Sequence, residues 1–445
     1  MNYVNGKIIG DDERVRVLDN IGDMLINTLR KPPPDADAVI NACDRLSEDA
    51  DILETLHKMP GPGTNPVLAD MYIRQIRRMY NARAIRERMR IELGADYDKP
   101  RELICLHSGA RAVQTVAPLG VLFHAIDGNA DGLPLFGLLD GLLTGNINIV
   151  NLPAEGAGIT VALLDALTDA EPALAEYIYI FDFSPGDARA MKKLAAVADA
   201  IIVRGGGGSG GGGGVSGGGM AGAVRASAAP NANIIEWGQK TSFAYATKDG
   251  VNKGALEKLA LNVCLTNQLL NSSCQGVFLD TGDMEEVYNF CEEILPVLEE
   301  VSQSYPFAGD ENEKLRVRAK ITLDIYNQHI EGRGGGVRIF KGKSCGVAAC
   351  TDSRPEPSIM YGNIWVKPLP RENILDLRRH KGCLQTAGLI CADHEYAELS
   401  RSLLRAGISK VSDGFEMSGY AFGEAHNGVY PLRRFTRLVS VQNPG

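Results

Sequence analysis

Through the first hundred residues, apolar positions recur every three and four. "ERVRVLDNIGDMLINTLR", "DADAVINACDRLSEDADILETLHKM" and "NPVLADMYIRQIRRMYNARAIRERMRIELG" each carry such a stripe, which predicts helices. "RKPPPD" and "MPGPGTNP" interrupt them, since proline and glycine end helices. From residue 116 the rhythm shifts to short apolar runs separated by helical stretches. "VAPLGVLFHAI", "NINIVNLP", "IYIFDF", "DAIIV" and "NANIIEWG" read as strands. "GLPLFGLLDGLLTG", "GITVALLDALTDAEPALAEY" and "DARAMKKLAAVA" read as the helices between them. Strands buried on both faces and joined through helices make a largely parallel, doubly wound sheet with right-handed crossovers.

A second α/β portion begins near Thr241. Its pattern gives a helix "ALEKLALNVCLTNQLLN", a strand "GVFLDT", and long amphipathic helices over 282–330. A hairpin-like "GVRIFKGKSCGVAAC" and the strands "GNIWVKPLP" and "LQTAGLICA" follow. The closing "LRRFTRLVSVQ" alternates basic and apolar residues, which suits an edge strand or a subunit contact. The expected organisation is a helical region 1–100 attached to a cofactor domain at 101–240. A catalytic α/β domain at 241–405 and a C-terminal segment 406–445 complete it.

Composition narrows the function classes. The 445 residues are 44% hydrophobic and 23% charged, ordinary for globular domains. A net charge of −9, with no basic run, argues against nucleic acid as a partner. The longest apolar stretch, "APLGVLFHAI", is too short to span a bilayer, so no membrane insertion is expected. Nine scattered cysteines form no disulfide framework and suggest reduced thiols in a cytoplasmic protein.

Four places could carry chemistry. Thirteen of the eighteen residues from Gly205 to Gly222 are glycine, directly after the strand "DAIIV". Backbone amides there could cradle phosphate, or the run could be a loop too costly in entropy to order. No Gly-Lys-Ser/Thr follows, so it is not a P-loop. Glu236 ends a strand in "IIEWGQK", and Cys274 lies in "NSSCQG" before a strand. A thiolate nucleophile with a nearby carboxylate suits thioester or aldehyde chemistry, although a cysteine at a strand start also reads as packing. Asn129, in "DGNADGLP", could donate to an oxyanion or simply make a turn with Gly128. Cys383, Cys391 and His394 lack the paired spacing of a structural zinc site, and no metal is expected.

Taken together, these segments resemble the aldehyde dehydrogenase superfamily, and most closely its acyl-CoA reductase (LuxC) branch. "APLGVLFHAIDGNADGLPLFGLLDGLLTGNINIV" resembles that family's first strand, anion-hole turn and helix. "NIIEWGQKTSFA" resembles its Glu-x-Gly-x-Lys segment, and "NQLLNSSCQGVFLD" its nucleophile segment. "NIWVKPLP", "HKGCLQTAGL", "VSDGFEMS" and "HNGVYPLRRFTRLVSVQ" resemble its C-terminal segments, so the likeness runs in order over roughly residues 100–441.

The resemblance implies an aldehyde-dehydrogenase-like α/β fold and NADPH-dependent reduction of a long-chain acyl-CoA, or another activated acyl group, to an aldehyde; NADH is the other cofactor it allows. Cys274 would be acylated with loss of CoA, Asn129 would stabilise the oxyanion, and Glu236 would handle a proton or water. The cofactor would lie near Asn151, Gly205, Gly206 and Gly238. The substrate partner would be an acyl-CoA or acyl carrier. The chain would form a homo-oligomer through an arm "PRELICLHSGARAVQTV" and the strand "RRFTRLVSVQ".

The chain departs from the pattern at three points. Counting back seven from Phe278 to the usual nucleophile position gives Asn271, with Cys274 three residues late. Asn151 stands where the family often has a lysine, and the run from Gly205 to Glu236 is longer than the family's, so the glycine tract reads as an insertion. Asparagine cannot form a thioester. A relative that binds nucleotide or acyl-CoA but is catalytically impaired is therefore the alternative, as is an aldehyde-oxidising dehydrogenase.

Overall fold

A computed structural model describes residues 2–442 other than 53, 55–69, 71–72, 75–76, 105, 108, 127–132, 153–157, 185, 205–219, 231, 239, 307–310 and 332–335. The chain divides into two units. The first comprises Met1–Met59, Ile73–Gly238 and Phe422–Gly445; the second comprises Pro60–Tyr72 and Gln239–Ala421. The second unit thus runs from Gln239 to Ala421, and the C-terminal residues from Phe422 belong to the first.

The first unit opens with β1 (Asn2–Val4), β2 (Lys7–Ile9), α1 (Asp11–Leu29), α2 (Ala36–Glu48) and α3 (Ala82–Leu93). It continues through β3 (Arg101–Ile104), β4 (Arg111–Pro118), β5 (Val121–Ile126), α4 (Leu133–Leu143), β6 (Ile147–Asn151) and α5 (Gly158–Ala170). Next come β7 (Ile178–Phe181), α6 (Ala188–Ala196), β8 (Ala200–Arg204), α7 (Met220–Ser227) and β9 (Asn233–Trp237).

The second unit holds β10 (Thr241–Ala246), α8 (Lys253–Thr266), β11 (Cys274–Leu279), α9 (Met284–Ser304) and α10 (Glu311–Glu331). It is completed by β12 (Val337–Lys341), β13 (Gly346–Cys350), β14 (Asn363–Pro368), β15 (Leu384–Ile390), α11 (Asp393–Ala406) and β16 (Lys410–Ser412). The chain then returns to the first unit with α12 (Pro431–Arg434) and β17 (Thr436–Gln442).

The first sheet has the order β2-β1-β7-β6-β5-β8-β9, parallel from β7 to β9. Every residue of β5, β6 and β7 is buried, as a sheet covered on both faces requires. Strand order reverses between β5 and β8, and such switch points receive ligands at the carboxyl ends of the strands. The loops leaving those two ends contain Asn129, Gly205 and Gly206, which lie outside the described residues.

Two local details differ from the sequence reading. The N-terminus is not helical: β1 and β2 form a hairpin around Asn5 (φ 50°) and Gly6 (φ 80°), and β1 pairs with β7. Asn-Gly is the residue pair that a tight hairpin turn requires, but three-residue strands leave no periodicity to detect. The run "VAPLGVLFHAI" is two strands, not one. Gly120 takes φ +133°, and a Cβ there would lie 2.3 Å from the Asp199 carboxylate, which accepts the Val121 N–H at 2.8 Å. Past that turn β5 enters the main sheet, while β4 joins the sheet β17-β4-β3. The arm and its partner strand thus pair within one chain, from Thr436↔Pro118 to Gln442↔Ala112.

The second sheet has the order β12-β13-β14-β11-β10-β15-β16, parallel except at β12–β13. Strand β10 lies inside the sheet, with β11 on one side and β15 on the other. Gly276 in β11 lets the Trp365 ring lie directly on the strand, since a Cβ there would sit 2.1 Å from it.

Candidate active site

In the second unit, chemistry converges on the turn between α8 and β11. Helix α8 ends at Asn267 and Gln268, both left-handed, with φ of 47° and 62°. Such a conformation costs a non-glycine residue roughly 1–2 kcal/mol, and side-chain hydrogen bonds hold it in place. The buried Gln268 amide donates through Nε2 to Cys274 O and Asn363 O, each at 3.0 Å, and to Ser358 Oγ at 2.9 Å. Its Oε1 accepts the Gly362 N–H at 3.1 Å. Gln275 braces the same turn, donating to Gln268 O and accepting from the Ser358 N–H and hydroxyl.

Asn271 stands exposed on this braced turn. Its Oδ1 accepts the Lys240 backbone N–H at 3.3 Å, and its carbonyl accepts the Ser242 hydroxyl at 2.7 Å. Ser242 is fully buried at the start of β10 and also accepts the Thr386 N–H, so the turn is tied into the sheet.

Cys274, the expected nucleophile, is not available there. It is the first residue of β11 and is 0% exposed, inside the apolar core of the unit. Its N–H donates to Asn262 Oδ1 at 3.0 Å and its thiol to Gly276 O at 3.2 Å. Burial pushes the thiol up to about 12, which keeps it protonated at neutral pH. Three residues make the difference: position 271 lies on the turn, whereas position 274 is already within the strand and faces the core.

Burial likewise raises Cys264 and Cys291 to about 12, and Cys345 and Cys350 to about 11. Cys383 is the exposed cysteine among the described residues. It precedes β15, where its carbonyl accepts the Thr241 N–H and the neighbouring Gly382 carbonyl accepts Lys240 Nζ at 2.5 Å. Cys391 follows the far end of β15, so the strand separates the two thiols. Among the described residues, no group of three His, Cys, Asp or Glu is placed to hold a metal ion.

In the first unit, Glu236 lies in β9, with its carboxylate about one-third exposed and 2.5 Å from the Arg225 guanidinium of α7. Next to it Trp237 is buried, its indole N–H without a hydrogen-bond partner among the described residues, and its ring is 4.7 Å from that of His426. A Cβ on Gly238 would meet nothing within 4 Å, so the strand ends beside open space.

Asn151, expected from the sequence near the cofactor, is buried at the end of β6. This residue is 1% exposed, and its amide is consumed by the Phe183 backbone, donating to the carbonyl at 2.9 Å and accepting the N–H at 3.1 Å. It closes the end of β6 onto the segment after β7. Lys240, Ser242, Gln268 and Gln275 were not singled out from sequence; of these, only Lys240 carried a signal, as the lysine of "EWGQK".

Comparison with known proteins agrees with this architecture. The chain matches the family model for acyl-CoA reductase (LuxC) over residues 38–438. No curated protein matches it. Among solved structures it is similar to betaine aldehyde dehydrogenase from Staphylococcus aureus in complex with NAD+, at 12% identity and TM-score 0.69, covering 91% of this chain and 82% of that one. An NAD-dependent benzaldehyde dehydrogenase from Corynebacterium glutamicum aligns at 15% identity and TM-score 0.66, with coverage of 99% and 94%. NADP-dependent glyceraldehyde-3-phosphate dehydrogenase from Bacillus halodurans, complexed with NADP, aligns at 12% and 0.69, with coverage of 99% and 98%. At such identities the likeness establishes the aldehyde dehydrogenase fold, and the family model adds the rest: the chain belongs to the acyl-CoA reductase (LuxC) family, oxidoreductases that act on acyl groups and aldehydes.

Proposed function

We propose that this chain uses a reduced nicotinamide, NADPH or NADH, to convert a long-chain acyl group carried on CoA or a carrier into the aldehyde. The observation that carries the reading is the carboxyl end of β9. There an unpartnered buried indole N–H on Trp237 and an unobstructed backbone at Gly238 offer a dinucleotide one donor and room for close approach. Gly205 and Gly206 belong to the same proposed cofactor region by their position after β8. When bound, the nicotinamide supplies the hydride.

The protein's own groups do the positioning. Glu236 is held by Arg225 as an ion pair, which fixes the carboxylate for a proton transfer. Asn129 is the candidate donor to the acyl oxygen. Asn151 is buried and bonded to the Phe183 backbone through one donated and one accepted hydrogen bond. The exposed Leu438 and Val441 of β17 suit assembly into a homo-oligomer.

Incubation with acyl-CoAs of graded chain length and each reduced nicotinamide, following nicotinamide absorbance and aldehyde by mass spectrometry, tests the reading. Aldehyde formed in step with nicotinamide oxidation supports it. Tight binding of both ligands with no oxidation would overturn it.

A further inference from the structure

We infer that α10 docks the second unit on an anionic lipid surface, through an apolar stripe that the fold leaves facing solvent. The inference is independent of the proposed reaction and is tested without turnover.

Helices α9 and α10 have the same length, 21 residues each. Helix α9 buries Val287, Phe290, Cys291, Ile294, Leu298 and Val301, whereas α10 has no buried residue among those described. The sequence of α10 explains the contrast, since it carries two apolar faces and the unit covers only one. Val317, Ile321 and Ile325 recur every four residues and are half-buried. Ile325 and Gln328 line a cavity of about 420 Å³ together with Val347, Ala348, Ile364 and Trp365, so packing beneath the helix is incomplete.

The other face holds Leu315, Ala319, Leu323, Tyr326 and Ile330, all exposed, with Leu315, Leu323 and Tyr326 at 59%, 59% and 61%. At about 100° per residue these five fall within about 80° of arc, opposite the half-buried face. A contiguous apolar stripe of this kind marks an interaction surface.

Charge selects the occupant. Arg316 and Lys320 lie along one side of the stripe, Arg318 and His329 along the other. Lys320 is paired with Asp324, and Glu311, on the Arg318 side, with Lys314. Neither Arg316 nor Arg318 has an ion-pair partner among the described residues. The acidic positions 313, 324 and 331 fall on the half of the helix turned away from the stripe. Apolar side chains between two free guanidinium groups match the acyl region and phosphates of an anionic lipid layer, with the Tyr326 hydroxyl at the boundary. The chain's net charge of −9 does not prevent this, because charges beyond about 8 Å are screened at physiological ionic strength. A second copy of the helix fits less well. Steps of four, four, three and four along the stripe average above about 3.6 residues per turn, not the roughly 3.5 that winds two helices together.

Flotation of the full-length chain with vesicles tests the inference. One set is phosphatidylcholine alone; the other is phosphatidylcholine and phosphatidylglycerol in equal parts. The chain should float with the anionic vesicles, less with the neutral ones, and be released as salt is raised. Arg316→Gln with Arg318→Gln should weaken binding to the anionic vesicles roughly thirty-fold and leave neutral binding unchanged. Leu323→Gln with Tyr326→Gln should weaken binding roughly tenfold or more on both. In a Tyr326→Trp chain, the new emission should shift to the blue on anionic vesicles, which reports on the helix itself. No flotation with anionic vesicles at low salt, or flotation that neither pair of substitutions weakens, overturns the inference. So does a loss of oligomeric size on gel filtration caused by the Leu323 and Tyr326 pair, which assigns the stripe to a second copy.

Discussion

Replacing Gln268 by alanine and, separately, by glycine isolates the forces that hold the candidate turn. Either change removes the four hydrogen bonds made by the side chain. Losing the acceptor leaves the buried Gly362 N–H unpaired, and losing Nε2 strips a partner from the carbonyls of Cys274 and Asn363. A buried unsatisfied group costs about 1–3 kcal/mol and an ordinary lost bond about 1, giving roughly 3–5 kcal/mol for alanine. The backbone sets the difference between the two variants. At φ 62°, alanine keeps a left-handed penalty of roughly 1–2 kcal/mol that glycine escapes, so the glycine variant should be the more stable by about 1 kcal/mol. Elsewhere the order is the reverse. Each unit holds one of the chain's two tryptophans, Trp237 in the first and Trp365 in the second. Urea titration followed by fluorescence in a Trp237→Phe background therefore reports on the unit that contains the turn. Alanine equal to wild type, or more stable than glycine, would refute the reasoning.

Other outcomes are open to equally direct measurement. Arg88 binds Asp140 through two bonds, at 2.6 and 3.0 Å, and Glu92 at 2.6 Å, all nearly buried in the first unit. Arg88→Met should cost about 3–5 kcal/mol there, read from Trp237 fluorescence in a Trp365→Phe background. Burial already raises the Glu92 carboxyl, and removing the guanidinium raises it further. A carboxyl raised on folding contributes most below its unfolded value and loses that contribution as pH rises through its folded value. The Arg88→Met deficit should therefore shrink on acidification from about pH 8 to about pH 5.5, and a constant deficit would contradict this. A thiol-labelling reagent should modify Cys383 in the folded chain and reach Cys274 only in denaturant, as peptide mass mapping would show. Gly276→Ala should destabilise the second unit by roughly 1–3 kcal/mol, because Trp365 has to move, and a red shift of its emission would accompany the loss.

The parallel sheets were legible because short runs rich in isoleucine and valine, such as "NINIV" and "DAIIV", alternate with helical stretches, a rhythm that favours strands covered on both faces. The change of turn at position 271 was legible too, by counting from Phe278. What escaped detection was decided by contacts remote in sequence. Strand β10, "TSFAYA", starts on two hydroxyls that look exposed, and only its place between β11 and β15 buries them. Asn151 has the composition of a ligand-facing strand end, yet its partner is the backbone of Phe183, 32 residues away. Gln268 falls within the predicted helix "ALEKLALNVCLTNQLLN", which ends instead at Thr266; the partners that hold Gln268 and Gln275 come from β14, which supplies Asn363, and from the loop before it, which supplies Ser358. Local pattern carries strand identity, whereas the satisfaction of polar groups depends on which strands become neighbours.

That dependence also bears on the sulfur. For Cys274 to attack a carbonyl, the head of β11 would have to leave its place beside Ser242 and give up the N–H bond to Asn262. The Gln268 amide would lose its acceptor at Cys274 O in the same movement. At about 1 kcal/mol per bond, the opening costs roughly 3 kcal/mol, or more than a hundredfold in population. That factor multiplies whatever thiolate fraction the opened state allows.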